Sequence, residues 1–211
     1  MNHAWNLYKK ELFGKMPSLR ETIRRGASEA DVRAAEQAIG MPLPAELREM
    51  YLGNDGDDHE AICGVILGFH FLSLAELAAE WESWAELAEN EELNRPELFT
   101  STPAGRIRRR YADKKWIPFC TDDGGNFIGI DMDPDTQGRA GQIINFGRDE
   151  HNKHVLETDL NAFLDRLTRI VRSDHFFAGE YDGENVIFFG PNGEEDGAHL
   201  TDYLVSDRAL K

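Results

Sequence analysis

The sequence predicts an α+β fold: an antiparallel or mixed β-sheet with N-terminal helices and a C-terminal helix packed on it. Three observations carry this. Apolar residues recur at helical spacing before residue 90 and again after residue 158, whereas residues 116–146 fall into short β-branched or aromatic runs bounded by turn residues. The links between those runs have hairpin composition, which favours antiparallel pairing. Helices and strands are thus partly segregated along the chain, unlike the strict alternation of a doubly wound sheet.

The elements follow in order. Ser28 with Asp31 three residues later is an approximate capping box, Val32, Ala35 and Ile39 continue it at helical spacing, and Gly40 supplies the stop. Pro42 and Pro44 come next, and Pro44 suits a first helical position before Leu47, Met50 and Tyr51. Gly53 to Asp58 is a turn-rich acidic loop, and the apolar run Ala61 to Phe71 reads as one or two strands broken by Gly64 and Gly68. Ser73 and Glu76 form a full capping box, opening a helix whose apolar stripe is Leu74, Leu77, Ala78, Trp81, Trp84, Ala85 and Ala88. Residues 93–115 read as a mostly helical or irregular excursion. Strands are expected at Trp116–Cys120, Phe127–Asp131 and Gln142–Phe146, joined through Asp122-Asp123-Gly124-Gly125-Asn126 and through Asp133 to Gly141. A helix beginning near Thr158 carries Leu160, Phe163, Leu164, Leu167, Ile170 and Val171, and Val186 to Phe189 is a further strand candidate. Residues 1–172 are expected to form a single domain, with 173–211 as an acidic C-terminal extension and a candidate added strand.

Charge is unevenly distributed. The 211 residues carry a net charge of −16, of which residues 46–97 hold −12 (2 basic against 14 acidic side chains). Such asymmetry steers cationic partners and disfavours direct nucleic-acid binding, which depends on Lys and Arg neutralising phosphate. The one cationic run, Arg106, Arg108, Arg109, Arg110, Lys114 and Lys115, is expected to pair internally with the acidic segment or to face solvent. No apolar run approaches the ~20 residues of a membrane span and no secretory leader pattern follows Met1, so a cytoplasmic protein with no membrane partner is expected. Two cysteines, Cys63 and Cys120, sit in apolar stretches and read as small buried hydrophobes.

Catalytic patterns are weak. Asp131-Met-Asp133-Pro-Asp135 has the opening spacing of a calcium loop, but Thr136 replaces the turn glycine and Gln142 the bidentate Glu, so an acidic hairpin turn is expected. His151 and His154 lie three apart without a third ligand, which favours a surface turn before a helix. Gly190 to Gly193 lacks the Lys-Ser/Thr of a phosphate loop. No catalytic residue, metal or cofactor is assigned, and a non-enzyme is expected.

The run Gly26-Ala27-Ser28, Asp31, Ala35-Glu36, Ile39-Gly40, Leu43-Pro44, Leu47, Tyr51 and Asn54-Asp55-Gly56 resembles the opening of the SUKH superfamily. The resemblance continues through Gly68 to Leu74, Trp116-Ile117-Pro118, Gly124-Gly125-Asn126 and the closing helix with Phe163-Leu164, spanning residues 20–172. That superfamily contains the fungal Smi/Knr cell-wall-assembly regulators and many bacterial toxin-immunity proteins. The resemblance implies a non-catalytic immunity protein that binds and neutralises a cognate, basic, nuclease-type toxin. The alternative it implies is a regulatory scaffold of the cell-wall-assembly type, and a metal-dependent hydrolase ranks below both. For partner contacts the acidic composition points to Asp55, Asp57, Asp58, Glu60, Asp122 and Asp123, with Trp81 and Trp84 as aromatic anchors if exposed.

Overall fold

The computed structural model describes residues 2–60, 63–181, 184–190 and 199–206. The N-terminal part contains helices α1 (His3–Lys15), α2 (Leu19–Thr22), α3 (Glu29–Ile39) and α4 (Ala45–Gly53), strand β1 (His70–Phe71) and helix α5 (Leu74–Ala88). The central part holds strands β2 (Thr100–Thr102), β3 (Trp116–Thr121), β4 (Asn126–Asp131), β5 (Gln142–Gly147) and β6 (Asn152–Glu157). Helix α6 (Leu160–Arg172), strands β7 (Phe176–Tyr181) and β8 (Glu184–Phe189) and helix α7 (Leu200–Val205) follow.

The main sheet runs β1-β3-β4-β5-β6-β2. Its pairings are antiparallel except for β2, which joins β6 in parallel, so the sheet is mixed. Every residue of β3 and β5 is buried, which requires cover on both faces. Trp84 of α5 meets Phe127 and Phe146, while Phe163 of α6 meets Phe119, and α1 packs along α6. The α+β architecture expected from the sequence is the one observed.

Local signals were honoured where they are strongest. The Ser28/Asp31 and Ser73/Glu76 capping boxes are both closed in each direction, and Gly40 takes the left-handed conformation (φ +68°) that ends α3. Pro44 sits one position before α4 rather than in it. Replacing Ser73 by Ala should cost about 1 kcal/mol, read as a lower urea midpoint at unchanged slope. The excursion over 93–115 contains a single 3-10 turn (Pro96–Leu98) and the short β2, and is otherwise irregular. Its cations pair as expected in part: Lys114 reaches Glu89 of the acidic segment, while Arg108 pairs with Asp133 and Arg110 with Asp113.

Several elements depart from expectation. Helix α1 carries Trp5, Tyr8 and Leu12 inward, and Asn2 caps it by accepting from the Trp5 N–H. The run expected as one or two strands is extended only at His70–Phe71; residues 63–69 form a tight turn with isolated bridges at Gly64–Gly68 and Ile66–Phe69. Ala61 and Ile62 lie outside the described residues. Where a turn is expected at His151 and His154, strand β6 begins at Asn152 and takes in His154, while His151 lies one residue before it. Pairing with β5 on one side and β2 on the other imposes this on a segment too polar to announce itself.

The described part of the acidic extension is folded. Strands β7 and β8 form a two-stranded sheet of their own, and Phe176, Phe189, Leu200, Tyr203 and Leu204 join the main apolar core. Arg166 of α6 ties this region down by donating to the carbonyls of Leu156 (3.0 Å) and Leu204 (2.8 Å). Residues 191–193 of the rejected phosphate loop lie outside the described residues. Among the described residues no helix is long and apolar enough to cross a membrane. Both cysteines are buried and unpaired.

Candidate functional site

The acidic loop after α4 is a structural corner before it is a surface. Its backbone is stitched on two sides: the Asp55 and Asp58 N–H groups donate to Arg25 and Thr22, and the Asp57 N–H donates to Phe71. Gly56 adopts φ +81°, and a Cβ there would lie 2.6 Å from the Ser73 nitrogen, so only glycine fits. Asp55 accepts from the Leu74 N–H (2.8 Å) at the start of α5. Asp57 is fully buried; one carboxylate oxygen accepts from the Val65 N–H (2.7 Å) and the other lies 3.2 Å from Nδ1 of His70.

Two imidazoles converge on this corner. His59 and His70 stack with ring centroids 4.5 Å apart, and His59 Nδ1 lies 3.0 Å from the Asp123 carboxylate on the β3–β4 hairpin. Asp123 also faces His70, with Nε2 3.6 Å away. Nε2 of His59 is buried, lies 3.9 Å from both Asp57 Oδ1 and Glu76 Oε2, and has no hydrogen-bond partner among the described residues. Acids crowd the rim. Burial pushes the Glu80 carboxyl up, and the charges of Asp123 and Glu76 add to this. Glu76 is also pushed up by burial, but hydrogen bonds from Ser73 and the charges of Arg24 and His59 outweigh that and hold it below its ordinary value.

The expected contact residues are therefore divided. Asp57 and Asp123 are brought together around the imidazoles. Asp122 is spent locally, accepting from the N–H groups of Gly124 and Asn126 at the hairpin turn. Asp58 and Glu60 are exposed, with Asp58 accepting from the Glu60 N–H, and Asp55 is half-buried. Trp81 is half-buried and donates from Nε1 to the Lys114 carbonyl (2.9 Å). Two corrections follow: Asp57 and Trp84 present almost no surface, because the first is enclosed by the loop it organises and the second fills the aromatic core beside Phe127 and Phe146. His59 and His70 were missed by sequence reasoning. His59 follows two aspartates and His70 sits inside an apolar run, and neither context marks a shared site.

Other groups weighed for chemistry do not assemble. Asp131 is buried and accepts from Gln142 Nε2 (2.8 Å) and the Asp133 N–H (3.1 Å), and burial pushes its pKa up to about 7. His151 stacks on Phe99, and His154 lies on a cleft with Asp149, Glu150 and Asp202. Burial pushes the Cys63 thiol up to about 12 and raises Cys120 well above its ordinary value, so neither supplies a thiolate near neutral pH. Among the described residues, Asp57, His59 and His70 are the one group of three such side chains whose ligand atoms all lie within 4.8 Å of one another.

The model of the SMI1/KNR4 family (SUKH-1) matches residues 26–166. The chain belongs to the SMI1/KNR4 family. It is 31% identical to the Schizosaccharomyces pombe "Cell wall biosynthesis/cell cycle regulator smi1" over 81% of this chain and 36% of that protein. It is 28% identical to the Neurospora crassa "Glucan synthesis regulatory protein" over 84% of this chain and 39% of that protein. Against the Saccharomyces cerevisiae "Cell wall assembly regulator SMI1" identity is 25%, over 84% of this chain and 41% of that protein. The chain thus spans about two fifths of the length of these curated relatives. Within the SMI1/KNR4 match, Gly26 and Gly56 have backbone roles: a Cβ on Gly26 would lie 2.1 Å from the Leu52 carbonyl oxygen. The cluster of Asp57, His59, His70 and Asp123 also falls inside the matched span.

Proposed function

We propose that the chain is a non-catalytic regulatory module of the cell-wall-assembly type, acting by binding other proteins. The observation that carries this reading is the match to fungal proteins named as regulators across four fifths of the chain. The partner surface is expected on the acidic side, where Asp58, Glu60 and Asp123 are exposed, and a basic protein is the complementary partner. That charge supports a second reading, neutralisation of one basic, nuclease-type toxin, because −12 of the −16 net charge lies in residues 46–97.

Affinity capture of the full chain from its own organism, at low and high salt, separates the two. Several basic partners released progressively by salt support the regulator. One stoichiometric partner that is toxic alone and harmless with this chain supports neutralisation. No partner at either salt overturns both. With a captured partner in hand, the double change Asp58→Asn and Glu60→Gln should slow association several-fold and flatten its salt dependence, leaving dissociation nearly unchanged. An unaltered association rate would remove these residues from the interface.

A further inference from the structure

We propose that Asp57, His59 and His70 form a binding site for one divalent transition-metal ion of the zinc class, with Asp123 as the positioning residue that orients both imidazoles. This goes beyond the regulatory reading and does not depend on it.

Two imidazoles and one carboxylate are a borderline nitrogen/oxygen set that suits zinc and its neighbours, whereas calcium and magnesium demand more oxygens. Geometry agrees. Ligand atoms about 2.0–2.2 Å from a tetrahedral zinc stand roughly 3.3–3.5 Å apart. Asp57 Oδ1 is 3.2 Å from His70 Nδ1 and 3.9 Å from His59 Nε2, so the observed spacings bracket that value. His59 is a quarter exposed, which gives an ion a route from solvent.

The outer shell is also in place. The far nitrogen of a metal-bound imidazole ordinarily donates to a carboxylate or carbonyl. Here His59 Nδ1 is within hydrogen-bond distance of Asp123 (3.0 Å), and His70 Nε2 faces the other oxygen of the same carboxylate at 3.6 Å, an ion-pair distance longer than a direct hydrogen bond. The second oxygen of Asp57 is fixed by the Val65 N–H, leaving the first aimed at the imidazoles. His59 Nε2, the atom that would ligate, is the buried nitrogen that has no hydrogen-bond partner among the described residues. Nearby carboxylates of Glu76 and Glu80 add a field that favours a cation. A bound ion would join the loop after α4 to β1 and, through Asp123, to the β3–β4 hairpin.

The test is titration of the full chain with zinc chloride by calorimetry at neutral pH, with cobalt(II) as a spectroscopic probe. One ion per chain and visible d–d absorption of a tetrahedral site are expected. His59→Ala should weaken binding at least tenfold, and Asp123→Asn by about tenfold or more. His154→Ala, remote from the cluster, should leave it unchanged. Circular dichroism confirms that each variant folds, and His59→Gln replaces His59→Ala if the alanine variant does not. Zinc should raise the melting temperature of the parent chain and not of the His59 variant. No saturable binding, binding indifferent to the His59 change, or binding lost on the His154 change would each overturn the site.

Discussion

Replacing Asp57 by Ala should cost about 3 kcal/mol of folding stability, seen as a large drop in urea midpoint. The carboxylate accepts from the N–H of Val65, a residue with no exposure, and faces Nδ1 of His70. Alanine would leave that N–H buried without a partner and create a void too small to hydrate well. A buried donor without a partner costs the desolvation of the group, which exceeds the modest net value of an ordinary hydrogen bond. Asp57→Asn keeps one acceptor for Val65 and should recover part of the loss. A loss under about 1 kcal/mol for the alanine variant would show that the loop draws its order from its backbone pairings instead.

Lys153→Met should act in the opposite direction, stabilising the protein by up to ~3 kcal/mol at pH 6–7. The Lys153 ammonium is buried between Phe99 and Trp116 and donates to the Glu150 carbonyl (2.8 Å). Burial brings its pKa down from 10.5 to about 7, against a smaller upward pull from the Glu150 charge. Between pH 7 and 10.5 the unfolded chain therefore holds a proton that the folded chain has released, and stability from this group rises with pH across that window. Methionine keeps the length and apolar bulk without the charge. Its advantage should be greatest below pH 7 and vanish towards pH 10.5. Asp131, raised to about 7, contributes a loss of stability as pH rises from 3.8 to 7 and nothing further above it, so it does not obscure the Lys153 window. Equal advantage at pH 6 and pH 10 would mean that the amine reaches water through a path the packing does not reveal.

Legibility in the sequence followed the range of the interactions. Both capping boxes, the Gly40 stop and the three central strands could be read because each is decided within a few residues, by cap hydrogen bonds or by turn chemistry. Helix α1 carried a readable signal too, with Trp5, Tyr8 and Leu12 at helical spacing. Strand β6 carried none, since a buried lysine and a histidine interrupt its alternation.

By itself, the sequence determined the α+β class, the family and the acidic balance, all of which rest on local pattern or on sums over the chain. Only the tertiary structure decided which of Trp81 and Trp84 enters the core, that Asp57 is enclosed, and that His59 meets His70 and Asp123. The reason is physical. His59 and Asp123 are 64 residues apart and sit on different elements, so their contact depends on strand register and helix placement across the whole core. No short-range preference of either residue encodes it.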